Sequence, residues 1–165
     1  MHIWRYKNLS KDIIEIDDLV IGDGVIYGIN SSQDVYIPKT YIYNDKEIEI
    51  KSMDLWDRSL AKNYIVDEDN KYFKTIDGDL YSKNEETLYL VRKRKEKFVI
   101  PDTVKKIGSY AFFTFYTEFM HDDTCERKII ISDSVVDIDD NAFDAARADE
   151  IVFGKGIKRI GHYAF

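Results

Sequence analysis

The sequence predicts a repeat solenoid, mainly β with short helical turns, and two observations carry that expectation. Three segments of the C-terminal half superimpose with apolar residues at the same offsets, and the last two recur 22 residues apart. A period of that size means that each unit is one small element, unable to bury its apolar face alone and stable only when stacked on its neighbours.

The first clear unit opens on Phe98-Val99-Ile100-Pro101, continues through Val104 and Ile107-Gly108, and closes on Ala111-Phe112. The second opens on Ile129-Ile130-Ile131, passes through Val135 and Ile138, and closes on Ala142-Phe143. The third opens on Ile151-Val152-Phe153, passes through Ile157 and Ile160-Gly161, and closes on Ala164-Phe165. Each opening triplet reads as a short strand. Pro101 ends the first one because it has no amide for a ladder, and Pro38 follows Ile37 in the same way. The two apolar residues three apart turn the chain back into the core, and Gly108 or Gly161 permits a tight bend. The Ala-Phe pair is then expected on a short helical turn across the convex side. The repeats are bounded at 98–128, 129–150 and 151–165, the first enlarged by roughly nine residues.

The pattern Ile-Pro-x-x-Val-x-x-Ile-Gly-x-x-Ala-Phe resembles the BspA-type leucine-rich repeat of bacterial leucine-rich repeat proteins. A second feature agrees: Val66-Asp67-Glu68-Asp69-Asn70 is followed by Ile76-Asp77-Gly78-Asp79-Leu80-Tyr81-Ser82-Lys83 and then Leu88. This is similar to the strand and Asp-Gly-x-Leu-Tyr hairpin inserted between repeats in that family. The resemblance implies a short solenoid with a strand ladder along one face. Family members are commonly displayed at the surface and adhesive. Ser132 and Gly154 stand where proline is usual, and Asp139 stands where glycine is usual.

Upstream, residues 33–97 read as degenerate repeats with a hairpin insertion at about 70–92. Val35-Tyr36-Ile37-Pro38 supplies a strand, and Ile48, Ile50, Met53 and Trp56 supply apolar positions in an open register. Residues 1–32 read as an N-terminal cap. Within it Leu19 to Tyr27 folds as a hairpin about Asp23-Gly24, as expected where a solenoid end exposes an edge. The solenoid proper therefore spans 33–165. Phe165 falls within a repeat, so the chain reads either as a fragment or as an edge covered by self-association through the uncapped C-terminal end.

Strand alternation points to a partner-binding face. With Phe98 and Ile100 inward, Val99 faces solvent, and so do Ile130 and Val152 in the next units. Carried backwards, the register adds Ile65 and Tyr36, giving one expected column of Tyr36, Ile65, Val99, Ile130 and Val152. Exposed apolar rows mark contact sites, although β-branched residues suit strands on either face.

Other groups point less sharply. Aromatic residues at helical spacing after Phe112 suggest an extended helix over Phe113 to Glu126 that packs on the solenoid. The His121-Asp122-Asp123-Thr124-Cys125-Glu126 tail holds metal-capable side chains without zinc-ligand spacing. The Arg92 to Lys97 basic run reads as a solvated strand end. Gly154-Lys155-Gly156 lacks phosphate-loop spacing. The histidines His2, His121 and His162 lie beside no serine or cysteine arrangement that would make a nucleophilic triad. No catalytic residue, cofactor or metal is expected.

Composition narrows the partner. The 24 Lys and Arg against 31 Asp and Glu leave a net charge of −7, the opposite of the cationic footprint that phosphate backbones require. Direct nucleic-acid binding is therefore not expected. No apolar stretch approaches membrane-spanning length. Cys125 is the single cysteine, which excludes an intramolecular disulfide. The expected function is a non-enzymatic protein-interaction module using the strand face, as a bacterial surface or adhesion protein. An intracellular acidic binder or inhibitor of a basic, nucleic-acid-handling protein is the alternative, and the 12 tyrosines keep a carbohydrate-binding domain in view. A cytoplasmic location follows if Met1 is the native start, and a surface or secreted one if a leader preceded it.

Overall fold

The computed structural model describes residues 13–92, 96–113, 128–146 and 148–165. Within them the chain is built from strands and hydrogen-bonded turns, without a helix.

The N-terminal strands β1 (Ile14–Ile16), β2 (Leu19–Gly22) and β3 (Val25–Ile29) form an antiparallel meander, with Ile14 opposite Ile21 and Gly22 opposite Val25. The β2–β3 turn is made by Asp23 and Gly24, both with positive φ (51° and 79°), the geometry whose twist matches two antiparallel strands. Gly24 is required there for a second reason: a Cβ would lie 2.4 Å from the Glu49 carbonyl oxygen.

The next coil begins with β4 (Asp34–Ile37), makes a hairpin of β5 (Thr40–Tyr43) and β6 (Lys46–Glu49), and ends with β7 (Ser52–Met53), which pairs parallel with β3. The second coil repeats the plan. It begins with β8 (Asn63–Val66), parallel to β4, and makes a hairpin of β9 (Phe73–Ile76) and β10 (Asp79–Ser82). Strand β11 (Thr87–Leu90) then pairs antiparallel with β10. Asn70 ties the two coils together although it is almost wholly buried. Its amide donates to the Pro38 carbonyl at 2.9 Å, and its side-chain oxygen accepts from the Tyr72 and Phe73 amides at 2.8 and 3.0 Å. A buried amide so satisfied carries little desolvation penalty.

Three regular coils follow. Each has an opening strand, β12 (Lys97–Val99), β14 (Lys128–Ile130) or β16 (Glu150–Val152), and a short second strand, β13 (Lys106–Ile107), β15 (Asp137–Ile138) or β17 (Arg159–Ile160). Both sets run parallel and in register: Phe98–Ile129–Ile151 in the first ladder and Ile107–Ile138–Ile160 in the second. The three repeats therefore stack as the sequence offsets require. On the far side Phe112, Phe143 and Phe165 stack with ring centroids 4.6 and 4.8 Å apart. Such stacks add to the apolar area they bury. Ile107, Ile138, Val104, Val135, Ala111 and Ala142 have no exposed surface.

Two expectations about the turns are corrected. Ala111-Phe112 and Ala142-Phe143 lie on isolated hydrogen-bonded turns, in which the Ala111 amide donates to Gly108 and the Ala142 amide to Asp139. A helix cannot propagate through them because the residue before each alanine is left-handed: Tyr110 at 56°, Asn141 at 56° and Tyr163 at 53°. The bend is thus made two residues after the glycine position. At Gly161 the glycine serves close approach instead, since a Cβ there would lie 2.5 Å from the Asp140 amide nitrogen. Ser132, in the proline position, bonds the neighbouring coil through Ser134, whose hydroxyl donates to the Val104 carbonyl at 2.8 Å.

Apolar packing forms two clusters along the chain, one from Leu19 to Leu90 and one from Tyr81 to Ala164. The aromatic helix expected over Phe113 to Glu126, the His121–Glu126 tail and the centre of the Arg92–Lys97 run lie outside the described residues.

Candidate interaction face

The outward positions of the opening strands follow from the pleat. In β4 and β12, exposed and buried residues alternate, because successive side chains leave a strand on opposite faces. Tyr36 stands beside Ile65 across β4 and β8, and Val99, Ile130 and Val152 stand side by side across β12, β14 and β16. Tyr36, Ile65 and Val99 are about half exposed (53%, 50% and 53%), Val152 is exposed at 36%, and Ile130 is half-buried between its neighbours.

The expected single column of five is corrected to two rows, one of two residues and one of three. β8 and β12 are not ladder partners. Between them the chain builds β9, β10 and β11, and only β11 joins a parallel ladder, through β13. An antiparallel insertion supplies no strand in the register that would carry the row from Ile65 to Val99.

The two rows differ in their surroundings. Beside Tyr36 the carboxylates of Asp67, Glu68 and Asp69 gather at the end of β8. The Tyr36 hydroxyl donates to Asp67 Oδ2 at 2.6 Å. That bond, with the field of the three carboxylates, raises the Tyr36 hydroxyl above its ordinary pKa. The same bond holds Asp67 below the ordinary carboxylate value, helped by the Asp69 amide. Lys39 pairs with Asp69 at 3.2 Å. Beside Val99 and Ile130 the next outward positions on the same strands are Lys97 and Lys128, and Lys128 pairs with Glu150 at 2.7 Å.

A cleft of ≈ 440 Å³ lies along the second ladder, lined among others by Ser52, Asp54, Tyr89, Lys106, Asp139 and Arg159. Burial raises the Asp54 carboxyl, with Asp139 adding to the effect. Asp139 is itself neutralised by Lys106 at 2.8 Å and by the Arg159 guanidinium. Among the described residues the lining holds no histidine or cysteine. Among the described residues no three His, Cys, Asp or Glu side chains are gathered as for a metal ion. No helix of the described residues is long and apolar enough to cross a membrane. The run Asp67-Glu68-Asp69 is visible in the sequence, but its place beside Tyr36 is not, since only the β4–β8 pairing brings it to the tyrosine.

Parallel coils with two ladders and a stacked aromatic spine define a leucine-rich repeat solenoid. Residues 88–165 match the BspA type leucine-rich repeat region in six copies, in agreement with the resemblance the repeats carry. Proteins built on such repeats generally serve protein–protein interaction or adhesion and are typically non-enzymatic binding modules. No curated protein matches the chain in sequence. Among solved structures it is similar to a leucine-rich repeat protein from Eubacterium ventriosum, with a TM-score of 0.58 and 27% identity, covering 81% of this chain and 33% of that one. It is also similar in fold to the pneumococcal vaccine antigen PcpA, with a TM-score of 0.54 and 22% identity, covering 76% of this chain and 28% of that one. The chain spans about a third or less of the length of either.

Proposed function

We propose that the protein is a non-enzymatic interaction module that holds a protein partner against the outward strand face, chiefly through Val99, Ile130 and Val152, with Tyr36 and Ile65 forming a second contact. The observation that supports this most is the register itself. Three β-branched side chains stand side by side on the outer face of a ladder where solvent would favour polar residues, and contiguous apolar surface of that kind marks contact sites. The repeat type supports a bacterial surface or adhesion role. The carboxylates around Tyr36 favour, as a second reading, an acidic binder of a basic protein inside the cell. Labelling intact host cells with an antiserum, before and after permeabilisation, separates the two settings.

The test of the face uses a photo-crosslinking residue at position 99 and another at position 75, on the exposed side of β9. A partner trapped from position 99 and not from position 75 is then titrated against Val99→Lys and Thr75→Lys. The first variant is expected to bind at least tenfold more weakly, about 1.4 kcal/mol, because an ammonium would have to be desolvated in an apolar contact. Thr75→Lys adds the same charge elsewhere and is expected to bind as the parent does. Equal affinities for parent and Val99→Lys would remove the Val99 row from the interface.

A further inference from the structure

We infer that the β4–β8 end of the strand face is a docking patch of its own, fitted to a partner segment that sets an arginine beside an apolar residue. The inference rests on the reading that the outward strand face binds protein, and it adds which chemistry each row selects.

The floor of the patch is apolar and flat. Tyr36 and Ile65 are paired in register and half exposed, so an incoming apolar side chain finds two neighbours at strand spacing. Its rim is acidic. Asp67 is already engaged, accepting from the Tyr36 hydroxyl and the Asp69 amide. Glu68 and Asp69 remain the exposed carboxylates; Lys39 pairs with Asp69, and its charge also acts on Asp67. At the other end of the strands Asp34 accepts from the Asn63 amide at 2.7 Å, which leaves its charge in place.

Charge complementarity selects the occupant. A guanidinium over the face of Tyr36 is attracted by the ring, and its planar fork matches a carboxylate at the rim. The Tyr36 hydroxyl is raised first by its hydrogen bond to Asp67 and then by burial, and the charges of Asp67, Glu68 and Asp69, the ones such a group would meet, raise it further. The Val99 row sits in a different field, since Lys97 and Lys128 flank it and Glu150 pairs with Lys128. An acidic or uncharged segment therefore has no reason to prefer Tyr36, whereas an arginine-bearing one does.

The probe is an acetylated, amidated hexapeptide alternating leucine and arginine, with its leucine–glutamate counterpart for comparison. Each is titrated into the full chain while backbone amide resonances are followed. The arginine peptide is expected to shift Tyr36, Ile65 and Glu68. Its affinity should fall roughly fivefold or more when salt rises from about 50 to about 500 mM, since exposed charge pairs are screened over that range. Glu68→Lys is expected to weaken it at least ~5-fold, about 1 kcal/mol, with an unchanged melting curve because the Glu68 side chain is exposed. Glu15→Lys makes the same charge change on β1 and is expected to leave the titration as it was. Equal binding of both peptides, shifts confined to other residues, or an unaffected Glu68→Lys variant would each overturn the inference. If those results came while Val99→Lys still abolished binding of the crosslinked partner, the proposed function would stand and this patch alone would fall.

Discussion

Single residues reveal which offsets of the repeat carry stability. Ile138 is fully buried between Ile107 and Ile160, while Ile160 is half exposed at the end of the ladder. Ile138→Ala is expected to cost about 2–5 kcal/mol, as large-to-small changes in a packed core do. Ile160→Ala should cost well under half as much, and urea denaturation of the two variants measures the difference. Tyr64 makes a second residue-scale case. Burial pushes its hydroxyl up to about 12, opposed by its bond to Ser59, whose oxygen lies at 2.7 Å. The folded state therefore favours neutral Tyr64. This contribution is fully present below pH 10, where the unfolded tyrosine is also protonated, and is lost as pH rises towards 12. A displacement of that size corresponds to about 2–3 kcal/mol. Tyr64→Phe should lose less stability than the parent between about pH 9.5 and 12, as read from urea midpoints at each pH. A steeper loss in the variant would contradict the assignment.

Elements show how local chemistry and insertion interact. The β5–β6 hairpin is not legible as a hairpin in the sequence, where Ile48 and Ile50 stand only as apolar positions of a degenerate repeat. Its signal lies in Asn44-Asp45, both left-handed at 50° and 59°. This is a two-residue hairpin turn lacking the glycine that usually announces it. Asp45→Gly is expected to stabilise the fold by about 0.5 kcal/mol, because glycine removes the left-handed strain and, against that, adds unfolded-state entropy. At Gly24 the prediction has the opposite sign. Gly24→Ala must both accept a positive φ and move the Glu49 carbonyl, so a loss of more than about 2 kcal/mol is expected in the same denaturation assay. The equivalence of the β5–β6 and β9–β10 hairpins emerges at this scale as well: both are inserted after one of the paired opening strands β4 and β8.

Across the whole molecule, nearest-neighbour stacking governs cooperativity. In a solenoid each coil contacts mainly the coils beside it, so stability is a sum of coil and interface contributions. In the coil of β16 and β17, Phe153, Ile160 and Phe165 are about half exposed. Amide hydrogen exchange is expected to be fastest in β16 and β17, slower in β14 and β15, and slowest in β11 to β13. A uniform rate across these strands would show that the coils open as one unit. Phe143 holds the spine at its centre, 4.6 Å from Phe112 and 4.8 Å from Phe165. Phe143→Ala is expected to cost about 3–5 kcal/mol and to raise exchange in β16 and β17 more than in β13. Arg58 links distant parts of the chain, pairing with Asp144 at 2.7 Å and lying over Phe113, a contact that no repeat pattern encodes.

The sequence by itself determined the repeat, its period and its inward residues, because apolar periodicity is a local property written at fixed offsets. It also determined the opening hairpin at Asp23-Gly24, since that turn depends on two adjacent residues. The tertiary structure alone decided where the ladders stop. Whether β8 pairs with β12 depends on how the chain between them folds and on which ladder it joins, and no offset within a repeat records that. Hence one expected column became two rows. It also decided the chemistry around Tyr36, because residues 31 positions apart meet only when β4 and β8 align, and the electrostatic character of a face belongs to neighbours in space.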